Sequence, residues 1–274
     1  MKYKIEDYQA VGEKLKKDLE LETELIAIKY VKKNTPIPDG FLRPLKDTGK
    51  KMTCCMAMTA TRREKKKILI TADDNPCTPI SVGHGWARAG MFKMMKSQVD
   101  NKWNKDYLSV LRLNTSRYRL GGFMAQWPLS RFMGHKGMMV APLSETPYIP
   151  DSVVFYGYPL QILIAAHSFS YEGKHIPRCV VSGFGDSCWQ AALFPMKSKN
   201  PVFVLGGYGE RVFGLVKNYE VALGVPGKLI FYVDENLFKA GGEHNINAAL
   251  KNPNREVNED ILPGWRDIRN IMKY

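Results

Sequence analysis

Four stretches of one segment decide the fold class. They are Asp151-Ser-Val-Val-Phe-Tyr-Gly-Tyr-Pro159, the apolar residues 160–169, the turn Gly183-Phe-Gly-Asp-Ser-Cys-Trp189, and Pro201-Val-Phe-Val-Leu-Gly-Gly-Tyr-Gly-Glu-Arg211. Residues 153–156 are β-branched or aromatic and stop at Gly157, the signature of a short buried strand. Pro159 suits the first turn of a helix, where its missing N–H costs nothing. Residues 160–169 are apolar on nearly every side, as in a buried helix. Cys188 stands just past a Gly-rich turn, at the start of a second helical run over 189–194. A cysteine there would feel the positive end of the helix dipole, which lowers its pKa and favours thiolate chemistry or metal ligation. The alternative is a small buried apolar side chain.

The first half has a similar order. Ile5, Tyr8, Val11, Leu15 and Leu19 repeat at helical spacing, and residues 25–31 read as a strand. A helix over 52–63 starts at Thr53 and carries Cys54, Cys55, Met56 and Met58 in its first turns; a strand follows over 67–71. Cys55 precedes Ile68 by 13 residues and Cys188 precedes Val202 by 14. Strand, cysteine-started helix, basic connection and strand thus occur twice. The reading is an α/β chain of two pseudo-repeated strand-helix-strand halves sharing one core. Residues 1–140 hold Cys54, Cys55 and Cys77, residues 141–274 hold Cys188, and the two together are one continuous domain or an intimate pair. Residues 121–137, rich in Gly, Met and aromatics, read as pocket lining. Gly83 and Gly85 place His84 on an exposed turn, and Trp265 and Ile268 belong to a closing helix.

At 45% hydrophobic and 24% charged, the 274 residues are globular in composition. No apolar run approaches the ~18 residues that span a bilayer, and residues 1–7 lack the apolar centre of a secretory signal. A cytoplasmic protein is therefore expected. A net charge of +13 favours acidic partners in general. No helix-turn-helix, zinc-finger or RNA-recognition signature accompanies it, so nucleic-acid binding is not expected, and the run Arg62 to Lys67 reads as a solvated connection. Five cysteines without a CxxC pair suggest neither a disulfide framework nor a zinc ribbon.

The run Pro142-Leu-Ser-Glu-Thr-Pro-Tyr-Ile-Pro-Asp-Ser-Val-Val-Phe-Tyr-Gly-Tyr-Pro-Leu-Gln161 resembles the hallmark of the domain of unknown function 169 family, found mainly in anaerobic bacteria and archaea. Cys188 with Pro195, Gly209-Glu210-Arg211, Gly224-Val225-Pro226, the run 21–30 and Cys55-Met-Ala-Met58 agree with it. The resemblance covers residues 5 to 250 and implies that Cys55, Cys77 and Cys188 stand where the family commonly places cysteines. Two departures are visible. Cys77-Thr-Pro79 replaces a Cys-Pro-Gly-Gly sequence, and Gly206 or Gly207 stands where relatives often carry a further cysteine.

Three chemistries compete. Cys55, Cys77 and Cys188, with Cys54 as a fourth, would ligate a metal or iron–sulfur cluster once folding gathers them. The turns at 183–185 and 206–209 would present N–H groups to an anionic small molecule, although Glu210 and Arg211 suit a structural ion pair. Cys188 would act as a nucleophile if His84, His135 or His167 paired with it, but His167 reads as a core residue and the other two have no signature around them. The Met52, Met56 and Met58 group reads as packing. The expectation is a thiolate-held redox cofactor, foremost an iron–sulfur cluster, in an accessory or electron-transfer protein. That protein would be oligomeric, would come from an anaerobe and would meet an acidic redox partner. The rival is a ligand-binding or regulatory module with structural cysteines.

Overall fold

The computed structural model describes residues 3–86, 134–171, 173–180 and 186–240. Helix α1 (Ile5–Asp18) buries Tyr8, Val11 and Leu15, as their spacing predicts. Strand β1 (Ile26–Val31) and the short α2 (Pro44–Thr48) follow. Helix α3 (Cys54–Glu64) begins at Thr53, whose hydroxyl accepts the Met56 N–H at 3.3 Å and satisfies one of the free donors of the first turn. Then come β2 (Ile68–Thr71), α4 (Thr78–Gly83), β3 (Gly137–Pro142), β4 (Ser152–Gly157) and α5 (Pro159–Ser170). Strand β5 (Arg178–Val180) precedes a π turn, Asp186–Ala191, which runs into α6 (Ala192–Ser198). The described part closes with β6 (Val202–Val204), α7 (Tyr208–Phe213), β7 (Val221–Pro226) and α8 (Ile230–Asn236).

The strands form one mixed sheet in the order β2-β3-β1-β4-β7-β6-β5. Neighbours are antiparallel except β5 and β6. Side chains alternate across the pleat, and both faces are covered. Ile26, Ile28, Ile68, Ile70, Met138, Val140, Val154, Tyr156 and Val204 share one core with α3 and the π turn. Ala27, Leu69, Met139, Ala141, Val153, Phe155 and Leu223 share the other with α1, α5 and α8. Strands covered on both sides lose polar alternation, which is why β3, buried at every position, gives no strand signal. The expected division at 140/141 falls inside β3. The segment expected to line a pocket, 121–137, lies outside the described residues except from Gly134 on, and Gly137 opens β3. The closing helix around Trp265 and Ile268 also lies outside them.

Strand β7 crosses the π turn so closely that a Cβ on Gly224 would stand 2.0 Å from the Ala191 carbonyl oxygen. Both sides of that contact are backbone and cannot rotate away. Gly224→Ala is expected to lower unfolding stability by about 3 kcal/mol or more, at the upper end of overpacking costs. A urea unfolding curve with an unchanged midpoint would refute this close packing.

The basic run after α3 requires a correction at its first member. Arg62 is fully buried, not solvated. Its guanidinium donates to Glu220 Oε1 at 2.5 Å and Oε2 at 3.0 Å, and lies 4.2 Å over the Tyr156 ring. The ion pair joins α3 to the loop ahead of β7. No helix among the described residues is long and apolar enough to cross a membrane.

Candidate functional site

The topology brings four cysteines onto one face of the sheet. Cys54 and Cys55 open α3, Cys77 immediately precedes α4, and Cys188 lies in the π turn. Cys54 and Cys188 are buried members of a single apolar cluster, and Cys55 and Cys77 pack against it. Each sulfur would feel the charge of others as thiolates: Cys77 and Cys55 act on Cys54, and Cys55, Cys54 and Cys77 act on Cys188. Cys179 is apart, exposed on β5. The expected ligands Cys55, Cys77 and Cys188, with Cys54, are therefore neighbours. Spacing in the chain could not show this, because α3 and the π turn meet only through the packing of the sheet.

Hydrogen bonds hold Cys55, Cys77 and Cys188. Thr53 Oγ1 is 3.0 Å from Cys55 Sγ. Cys77 donates its N–H to Asn75 Oδ1 at 3.2 Å, and Asn75 Nδ2 returns a bond to the Cys77 carbonyl at 3.1 Å. The buried Glu210 carboxylate accepts the Cys188 N–H at 2.6 Å and the Gly207 N–H at 2.9 Å. Arg211 does not pair with Glu210 as expected; it donates to the Leu205 and Lys217 carbonyls. Both side chains thus fix backbone around the site.

The electrostatics overturn the expected low-pKa thiolate at Cys188. Burial, joined by the Glu210 carboxylate and the other sulfurs, pushes this thiol well above its usual range. The π turn puts it in the core, and desolvation of a charged sulfur outweighs any dipole. Burial likewise raises Cys54 well above its usual range, Cys55 to about 12 and Cys77 to about 11. The site therefore holds four neutral thiols, which would have to give up their protons to ligate a cation.

The histidines do not activate Cys188. His84 is buried, not on an exposed turn. Its Nε2 is 3.0 Å from the Cys188 carbonyl oxygen and its Nδ1 is 3.2 Å from the Tyr30 hydroxyl, so it holds the turn's backbone. Burial lowers its pKa to about 3, which keeps the imidazole neutral. His135 stacks on Tyr30 at 4.8 Å. His167, expected in the core, is exposed on α5. Met58 is buried and Met56 is exposed, so the methionines form no common ligand set.

Soft thiols from three segments are the donors that iron–sulfur clusters and soft metals take. Among the described residues, no three His, Cys, Asp or Glu side chains stand at metal-holding spacing. The fit lies in the kind of donor and in its gathering, not in a closed coordination shell. Sequence reasoning missed the parts played by Glu210, His84 and Asn75, whose bonds run to backbone atoms and leave no motif.

The family model described as DUF169, uncharacterised ArCR, matches residues 14–235. The chain is similar to uncharacterized protein MJ0308 of Methanocaldococcus jannaschii, with 25% identity over 240 residues that span 80% of this chain and 90% of that protein. No solved structure matches the chain.

Proposed function

The chain belongs to the domain of unknown function 169 family, and from its four gathered thiols we propose that it holds a thiolate-ligated redox cofactor, foremost an iron–sulfur cluster, as an accessory or electron-transfer protein. The supporting observation is the convergence of Cys54, Cys55, Cys77 and Cys188 in one apolar cluster. Bound there, a cluster would supply one-electron transfer. The chain's own residues would do the rest. Glu210 and His84 hold the Cys188 turn in place, Asn75 holds Cys77, and the surrounding apolar side chains exclude water.

The proposal extends to the two-half architecture. The sheet order reads alike from its middle pair outward: β1, β3, β2 on one side and β4, β7, β6 on the other. Ile68 pairs with Val140, two residues before Pro142, and Val202 pairs with Gly224, two before Pro226. Lys65 and Lys199, each three residues before its strand, both take the left-handed conformation, with φ of 56° and 59°. By this correspondence Cys54 matches Cys188, each 14 residues before its strand, and Cys77 ahead of α4 matches Gly207 ahead of α7. The site would then draw ligands from both halves, Cys54, Cys55 and Cys77 from the first and Cys188 from the second, with only Cys54 and Cys188 at matching positions.

The test is anaerobic purification followed by a visible spectrum and metal analysis. Broad absorbance near about 400 nm, with iron and sulfide in similar amounts, is the expected result. A colourless, metal-free protein that takes up no cluster on anaerobic reconstitution would overturn the reading.

A further inference from the structure

The surface of α7 has its polarity reversed. Tyr208 and Val212 stand on α7, with Leu205 ahead of the helix and Leu215 just past it, and apolar side chains of this size normally face a core. Here they are 41%, 52%, 53% and 61% exposed, and Met56 of α3, at 38%, is exposed too. Leu215 also has φ of +50°, a backbone conformation that bulky residues rarely adopt. The same segment covers the cysteine site. Gly214 lies so close to α3 that a Cβ on it would be 2.9 Å from the Cys55 Cβ. The hydroxyl of Thr59, one turn further along α3, donates to the Gly214 carbonyl.

Two arginines border these apolar residues. Arg63 donates to the Leu215 carbonyl at 3.0 Å and Arg211 to the Leu205 carbonyl at 2.8 Å, both neutral acceptors. The carboxylate nearest Arg63, Glu220 at 3.7 Å, is already bonded to both terminal nitrogens of Arg62. Lys50 and Lys51 are exposed a few residues ahead of Cys54. In a chain of net charge +13, an apolar face with a basic rim disfavours a second copy of itself and favours an acidic protein.

We propose that the exposed face of α7, with Met56 and the Arg63 and Arg211 rim, is the docking surface for a small acidic electron-carrier protein, seated over Cys55. The proposal rests on the cofactor reading for the partner's class, while the surface itself is tested by binding alone.

The experiment titrates the purified protein with a small acidic ferredoxin by calorimetry at low and moderate salt. Leu215→Asp is the informative variant. Asp tolerates a left-handed backbone better than Leu, so the fold is kept, while a negative charge enters the face. Val212→Glu is its partner, and Leu163→Glu, at an exposed position on α5, is the control. The expected result is wild-type binding that weakens with salt, a loss of affinity of about tenfold or more in the first two variants, and no change in the control. Absence of wild-type binding, or equal affinity in all variants, would overturn the proposal. So would sedimentation showing a wild-type dimer that Leu215→Asp turns into a monomer. A colourless protein that still binds through this face leaves the docking surface standing and removes the cofactor; a coloured protein that does not bind does the reverse.

Discussion

Serine in place of Cys188 is expected to leave anaerobically purified protein without absorbance near about 400 nm and with its iron reduced about tenfold or more. The exchange replaces a soft sulfur with a hard hydroxyl of nearly the same shape. Cys188 is buried in the π turn, with Glu210 holding its N–H and His84 its carbonyl, and neither bond involves the sulfur. The turn should therefore keep its form, and far-UV circular dichroism should match the wild type. Cys179→Ser serves as the control, because that thiol is exposed on β5 and should lose nothing. A Cys188→Ser protein that keeps its colour would remove Cys188 from the ligands. The cluster would then rest on the other thiols, and the rival of a ligand-binding module with structural cysteines gains only where the wild type itself is colourless.

Glu220→Gln is the second large effect, and it acts on stability. Arg62 is fully buried, and Glu220 supplies both oxygens that face its terminal nitrogens. Removing one charge of such a pair leaves the other buried and uncompensated, a cost of about 3–5 kcal/mol. Arg62→Met leaves the buried Glu220 carboxylate without its main partner and should also be costly, whereas the double variant Arg62→Met/Glu220→Gln removes both charges and should cost less than the two single losses combined when followed by urea unfolding. Strictly additive losses would show that packing, not charge, is at stake. The pair also sets an acid limit. Burial alone would raise the Glu220 pKa, but the bond from Arg62 and the Lys217 N–H outweigh it and hold it below the usual carboxylate range. A carboxyl lowered in the folded state contributes its stability above the unfolded value of 4.5, and loses it as pH falls through the folded value. Stability of the wild type should thus decline more steeply below that pH than stability of Glu220→Gln.

Much of the fold was legible where one face or one stripe carries the pattern. α1 showed its helical spacing, Thr53 its cap, and β4 and α5 their Gly157 and Pro159 boundary. Strand β3 was not legible, since it is covered on both faces and is inserted between β2 and β1. The four cysteines were legible as candidates, from residue type and family resemblance. Their charge state was not. Position at a helix start suggested a lowered pKa at Cys188, and only the depth of the π turn shows that burial reverses the sign. Arg62 and His84 failed for a related reason: a polar residue beside a glycine or within a basic run looks solvated until its buried partner is known.

The pairing of β1 with β3 has a further consequence during synthesis. Ile26 meets Pro142, 116 positions later in the chain (142 less 26), and among the described strands β2 pairs with β3 alone, with a single bridge from Leu42 to Ile68 on its other edge. A nascent chain must carry two apolar strands with open edges while the ribosome makes the intervening residues. Such edges template aggregation, and contacts so distant along the chain form slowly. Folding of the first strands therefore waits on translation, and a chaperone that shields β1 and β2 until residue 142 emerges would raise the yield more than one that acts on the finished chain.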